Sequence, residues 1–204
     1  MRDIFIVGAG GFGREAVWTV ERINAFSQGG PVWNILGYAD DDPKWRKGQN
    51  FEGYPILGTV EEASRDYPGA SVFIALGNNA KRAEMYKKLR GHDFPALIDP
   101  KAQISPTTEF KHGNFIGAGA VIQVGSELGK FDVVGSNAVV CHDAVVGDFV
   151  NMGPGTVIAG GTKVGAMVSF YANSATMPWI TIGEGASVSA GTGVKEDLPA
   201  GASV

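Results

Sequence analysis

The chain has 204 residues, 44% hydrophobic and 19% charged, which is enough apolar material for one sizeable core or two modest ones and too much for a disordered polypeptide. A net charge of −4 excludes the broad basic face that nucleic acid or an anionic membrane requires, but leaves room for a small anion held by a few basic groups and backbone N–H donors. One cysteine, Cys141, excludes an intramolecular disulfide framework, and no apolar run approaches the ~20 residues of a membrane span, so the expectation is a cytoplasmic protein.

In chain order, "IFIVG" (4–8) reads as a strand that leads into "GREAVWTVERINAF", where Ala16, Val17, Val20 and Ile23 recur at helical spacing. Between them "GAGGFG" (8–13) fits G-x-G-x-x-G in the strand–turn–helix context that brings backbone N–H groups and a helix N-terminus up to a diphosphate. A second strand is predicted at "ILGYAD" (35–40), and "YADDD" sets Asp40 and Asp41 at its end, where a nicotinamide enzyme would carry an acidic residue. The alternation continues with "TVEEASRDY" as helix, "SVFIALG" (71–77) as strand and "NNAKRAEMYKKLRG" as helix. Asn78 and Asn79 either cap that last helix or reach a sugar or base, and Arg82, one turn in, is placed to meet a phosphate. Strand and helix in alternation predict a small parallel sheet covered by helices, with ligands at the carboxyl ends of the strands. Three or four strands with no second mononucleotide unit favour a mononucleotide or sugar nucleotide over a full dinucleotide.

After "FPALIDP" the grammar changes. Stepping by six from Ile98 to Val194 gives seventeen positions, of which sixteen are apolar, with no insertion to restore the register. Glycine follows the apolar residue seven times, and four places on stands Ala, Ser, Thr or Val in thirteen hexads. A strict hexapeptide of this kind predicts a parallel β-helix with three short strands per 18-residue coil. Its apolar residues fill the bore, and its glycines are expected to supply the tight corners. The predicted fold is therefore α/β plus all-β: a Rossmann-like parallel α/β domain over 1–95 and nearly six β-helix coils over 96–204.

Residues 18 apart stack on one side of such a prism. His112 and His142 are five hexads apart and so lie on different sides, while His92 falls outside the repeat. The chain therefore lacks the three convergent ligands of a catalytic zinc, and no metal is expected. His142 is either a solvated outward histidine or a general base whose basicity and tautomer an adjacent carboxylate would set. Asp143 can fill that role only if the chain bends between them, because neighbours on a strand point to opposite faces. The same alternation turns Cys141 away from His142, which disfavours a thiol nucleophile. Asn151 is either a turn asparagine or a donor near the site.

The combination of "VGAGGFGRE", "YADDD" and "ALGNNAKR" with an uninterrupted hexapeptide domain carrying "VVCHDAVVGDF" resembles the bacterial sugar acetyltransferases, which modify nucleotide-linked amino sugars or sialic acid for surface glycans. The resemblance covers essentially the whole chain. It implies a left-handed β-helix, a homotrimer with active sites between subunits, and direct acetyl transfer from acetyl-CoA to a sugar nucleotide held by the N-terminal domain. By this resemblance His142 is the general base and Asp143 its acidic neighbour. Gly10, Gly11, Phe12, Asp40, Asp41 and Gly77 would contact the sugar nucleotide, and Asn151, Ala172 and Ala190 acetyl-CoA. Phe12 stands where many relatives carry histidine, and Asn151 where some do. The resemblance also implies a Gly-x-Pro-Ala segment beyond "PAGASV". The acceptor is expected to be a 4-amino-4,6-dideoxy sugar; O-acetylation of sialic acid, nicotinamide-dependent oxidoreduction and a non-catalytic β-helix scaffold are the alternatives.

Overall fold

A computed structural model describes residues 1–204 and divides into two compact units, Met1–Pro100 and Lys101–Val204.

The first unit holds β1 (Arg2–Val7), α1 (Gly11–Phe26), β2 (Trp33–Ala39), β3 (Asn50–Phe51), β4 (Tyr54–Gly58), α2 (Val60–Asp66), β5 (Ser71–Ile74) and α3 (Asn79–Lys88). The sheet order is β3-β4-β2-β1-β5, parallel throughout except for the antiparallel edge strand β3. Ile4, Phe5, Ile6 and Val7 are buried, as a parallel strand covered on both faces requires. α1 turns Ala16, Val17 and Val20 inward, the face its spacing predicts. A side chain at Gly13 would strike the Gly8 carbonyl oxygen, so the last glycine of the loop is fixed by close helix–strand packing. Arg22 of α1 grips the buried Asp99 carboxylate with two hydrogen bonds, 2.6 and 3.0 Å, tying the helix to the end of its own unit.

One open alternative is decided here, and one expectation changes. Asn78 is the N-cap of α3, accepting from the Lys81 N–H at 2.9 Å, while Arg82 is buried and donates to the Leu76 carbonyl at 2.7 Å. The guanidinium thus braces the loop from inside and is not displayed for a phosphate. The hairpin of β3 and β4 had no clear sequence signal, since Pro55 interrupts any alternation and Gly53 turns the chain. His92, outside the repeat, is a strut. Its Nδ1 lies 2.9 Å from the Ala70 carbonyl, which only accepts, so Nε2 takes the Ser64 hydroxyl at 2.8 Å.

The second unit is a left-handed parallel β-helix of two-residue strands. Its ladders join residues 18 apart, as in Gln103, Val121, Val139, Val157 and Ala175. From the second coil on, the second residue of the strands fills the bore: Ile116, Ile122, Val134, Val140, Met152 and Ile158 are all buried, while Phe110 near the N-terminal end is exposed. Thr176, the one polar residue on the beat, is buried with its hydroxyl accepting from the Ala159 N–H at 2.9 Å. The corners correct one reading of the glycines. Every sixth residue from Gly113 to Gly191 has a positive φ, between 56° and 77°, and this left-handed position lies three places after the apolar residue. The glycines directly after the apolar residue serve another need. At Gly135 or Gly147 a Cβ would come within 2.7 Å of the next coil's backbone, so these positions are glycine for close stacking of coils. No helix is long and apolar enough to cross a membrane.

Candidate active site

The corner after the strand Val139–Val140 carries Cys141, His142, Asp143 and Ala144. Asp143 adopts the left-handed conformation that the beat imposes there, φ 58°, which asparagine and aspartate accept more readily than most residues. This bend supplies what a regular strand would deny. The Asp143 carboxylate folds back to the imidazole, with Oδ2 2.9 Å from His142 Nδ1. A carboxylate only accepts, so Nδ1 carries a proton, and in the neutral ring the lone pair is then on Nε2, the tautomer a general base needs. Both side chains stay about half exposed, 51% and 59%.

The backbone around them is held by the coils on either side. The His142 N–H donates to the Gln123 side-chain oxygen at 3.1 Å, the Asp143 N–H to the Val124 carbonyl at 3.1 Å, and the His142 carbonyl accepts from Gly161 at 2.9 Å. Nε2 faces Gly160 of the next coil, where a Cβ would come within 2.6 Å of it. The Trp179 indole, 71% exposed, lies over Gly161, so the Gly160–Gly161 turn runs between two rings. Gln123 is a residue the sequence did not expose, because a single glutamine at a corner has no spacing to betray it. The thiol of Cys141 is half-buried, and burial pushes its ionisation up, away from that of a nucleophilic thiolate.

The other prism residues expected to act lie elsewhere on the coil. Asn151 opens a strand of a different sheet, half-buried, paired in register with Val133 and Ser169. Ala172 and Ala190 stack at a third corner, joined by the Gly191 N–H donating to the Ala172 carbonyl at 2.9 Å. Within one chain, therefore, His142 and the alanine pair do not share a corner. His112 is on a corner of its own, its ring edge-on to Phe131 at 5.4 Å, and no group of three His, Cys, Asp or Glu residues converges.

In the α/β unit the glycine loop and the acidic pair are coupled more closely than expected. Asp40 Oδ2 accepts from the Ala9 N–H at 2.7 Å and Oδ1 from the Asp42 N–H at 2.9 Å, while Asp41 Oδ1 accepts from Val60 at the start of α2 at 2.9 Å. Gly10, Gly11 and Gly77 are exposed, with open space where a side chain would stand, and half-buried Phe12 meets Phe73 edge-on at 6.1 Å. A cavity of about 460 Å³ gathers Asp40 and Asp41 with Gly8, Lys81, Glu84 and Lys88. The three α3 residues lie on one face, at spacings of three, four and seven, a signal available in "KRAEMYKK".

Residues 3–89 match the PglD N-terminal domain family. Over its full length the chain is similar to the acetyltransferase domain of PglB from Neisseria gonorrhoeae in complex with acetyl coenzyme A, at 27% identity and a TM-score of 0.88, covering 95% of that chain. A point mutant of GDP-perosamine N-acetyltransferase from Caulobacter crescentus, in complex with CoA and GDP-perosamine, matches equally, at 27% identity and TM-score 0.88 over 93% of its chain. WeeI from Acinetobacter baumannii, 24% identical with TM-score 0.88 over 96% of its chain, shares the fold. An uncharacterized protein of Acanthamoeba polyphaga mimivirus is 27% identical over 131 residues, and the chain spans about a quarter of that relative's length, 24%.

Proposed function

We propose that the chain, similar over its length to acetyltransferases that include a GDP-perosamine N-acetyltransferase, transfers the acetyl group of acetyl-CoA to the amino group of a nucleotide-linked amino sugar. A 4-amino-4,6-dideoxy sugar for surface-glycan synthesis is the acceptor class. The observation that carries the reading is the 2.9 Å contact between His142 Nδ1 and Asp143 Oδ2, which commits Nδ1 to the carboxylate and leaves Nε2, over Gly160, as the nitrogen that would accept a proton.

Transfer then needs one N–C bond formed and one C–S bond broken. The amine attacks the thioester carbonyl while Nε2 of His142 takes its proton; collapse of the tetrahedral intermediate expels the thiolate of coenzyme A, which takes a proton in turn. Asp143 stabilises the imidazolium formed on the way. Donors for the transient oxyanion come from the backbone at this turn or from Asn151.

The α/β unit holds the nucleotide, with Gly10, Gly11, Phe12 and Gly77 open to it. Asp40 shapes the loop through Ala9, and Asp41 anchors α2 while lining the cavity. Ala172 and Ala190 present little side chain to a slender pantetheine arm. Since they stack at another corner from His142, the reading supports a homotrimer in which base and coenzyme contacts come from neighbouring subunits.

The test is thiol release from acetyl-CoA with UDP-, dTDP-, GDP- and CMP-linked amino sugars. His142→Ala is expected to cut turnover by ~10² or more while leaving the melting curve unchanged, the scale for a positioned base on an exposed side chain. Near-normal turnover in that variant would remove His142 from the mechanism.

A further inference from the structure

The corner that carries His142 is not symmetric along the prism axis. On its C-terminal side the next coil carries the small residues Ala159, Gly160 and Gly161, with the exposed Trp179 indole of the coil beyond lying over Gly161. On its N-terminal side the preceding coils carry Gln103, Ser105 and Gln123, and there an open groove of about 490 Å³ runs up to the imidazole, lined by these three with Val121, Val124 and His142 itself. A glycine turn beside an exposed indole on one side suits a thin flexible chain. Two carboxamides and a hydroxyl set beside the half-buried Val121 and the exposed Val124 suit a molecule with hydroxyls on some edges and C–H or methyl on others, which is the surface of a deoxy sugar.

Gln123 is the residue of this groove tied to the base. A backbone N–H only donates, so the atom 3.1 Å from the His142 nitrogen must be the amide oxygen, Oε1. The amide is thereby oriented, and its NH2 is left to donate elsewhere. We propose that Gln123 is a specificity-determining residue, donating to the hydroxyl on the carbon next to the reacting amine of the acceptor sugar, with Gln103 as a second contact one coil away. This rests on the acetyl-transfer reading above and adds to it which face of the corner takes the acceptor. One side chain then fixes both partners of the proton transfer: its oxygen holds the base's backbone, its nitrogen the sugar.

Two variants separate these roles. Gln123→Glu keeps an acceptor for the His142 N–H but loses the donor, and Gln103→Leu removes a groove contact without touching His142. Steady-state thiol release would be measured with the amino-sugar nucleotide that the wild type uses best and with its analogue lacking the neighbouring hydroxyl. The expected result is a KM for the acceptor raised about 10-fold in Gln123→Glu and about 3-fold in Gln103→Leu, the scale of one neutral hydrogen bond at a partly exposed site, with the KM for acetyl-CoA within twofold. The wild type should prefer the hydroxylated acceptor by about 10-fold and Gln123→Glu should not. An active wild type whose two variants keep the same acceptor KM and the same preference overturns this inference alone. A wild type that acetylates no amino-sugar nucleotide overturns both the inference and the reading on which it rests.

Discussion

The two units satisfy their turns by different means, and the difference decides which side chains are free for chemistry. In the α/β unit the turns at the strand ends are irregular, and some of their N–H groups take side-chain partners. Asp40 takes two of them, Asp41 a third, and the Arg82 guanidinium supports a carbonyl from within. In the β-helix the backbone of the coils above and below supplies most of the partners, as where the Asp143 N–H finds Val124 and Gly161 finds His142, and a side chain one coil away, such as Gln123 for the His142 N–H, supplies others. Repetition satisfies the backbone, so an acid and an imidazole at a corner can turn to each other and to solvent. Acidic residues beside a glycine loop need not be ligand contacts, since holding the loop in shape is sufficient reason for them.

The comparison can be broken at several points. Gly160→Ala should have the largest effect. A methyl there would overlap the imidazole, 2.6 Å from Nε2, while Gly160 lacks the positive φ that would make alanine strained. Turnover should fall by ~10², the cost of misplacing a catalytic group by about 1 Å, with an unchanged melting curve. Full activity would mean that the ring is not used in this orientation.

Asp40→Ala should behave in the opposite way, losing stability by about 1–3 kcal/mol as the Ala9 and Asp42 N–H groups lose their partner, and raising the KM for the nucleotide sugar. Chemical denaturation is the measurement, and Asp143→Asn, on an exposed corner, should show no such loss. Equal stability of both variants would dissolve the contrast between the units.

Tyr38→Phe should give the smallest change, and a gain. The Tyr38 hydroxyl is buried with no hydrogen-bond partner, so removing it should stabilise the chain by about 1 kcal/mol at neutral pH. Burial, with Glu52 and Glu21 nearby, also pushes its ionisation up from 10.0 to about 12. The phenol therefore ionises in the unfolded chain first, and stability present below pH 10 is lost as the pH rises toward 12. The phenylalanine variant should lack that contribution to alkaline unfolding, which melting curves between pH 9 and 12 would detect.

Periodicity made most of the architecture legible. The hexad beat marks the bore residues, and β1, α1, β2 and α3 follow from apolar spacing and a glycine turn. What escaped was whatever has no period. The strand Tyr54–Gly58 hides behind Pro55, and Arg82 reads as a surface cation until its carbonyl partner is seen. The corner glycines were half-read, because the residue after the beat and the left-handed residue two places further on both favour glycine for unrelated reasons. His142 and Asp143 could be singled out by elimination among three histidines, but their contact depends on the left-handed corner position, φ 58° at Asp143, which the hexad reading assigns to the wrong residue of the repeat.

The absence of any insertion across the hexads makes the prism a ruler with discrete marks. Distances along its axis come only in coil steps of ~4.8 Å, and directions around it only in thirds of a turn. Removing six residues between the groove and His142 would swing the base to a neighbouring face. Inserting eighteen would leave its direction unchanged but lift it one coil away from Gln123. The spacing between base and acceptor groove is thus written as an integer, and evolution can change it only by jumps.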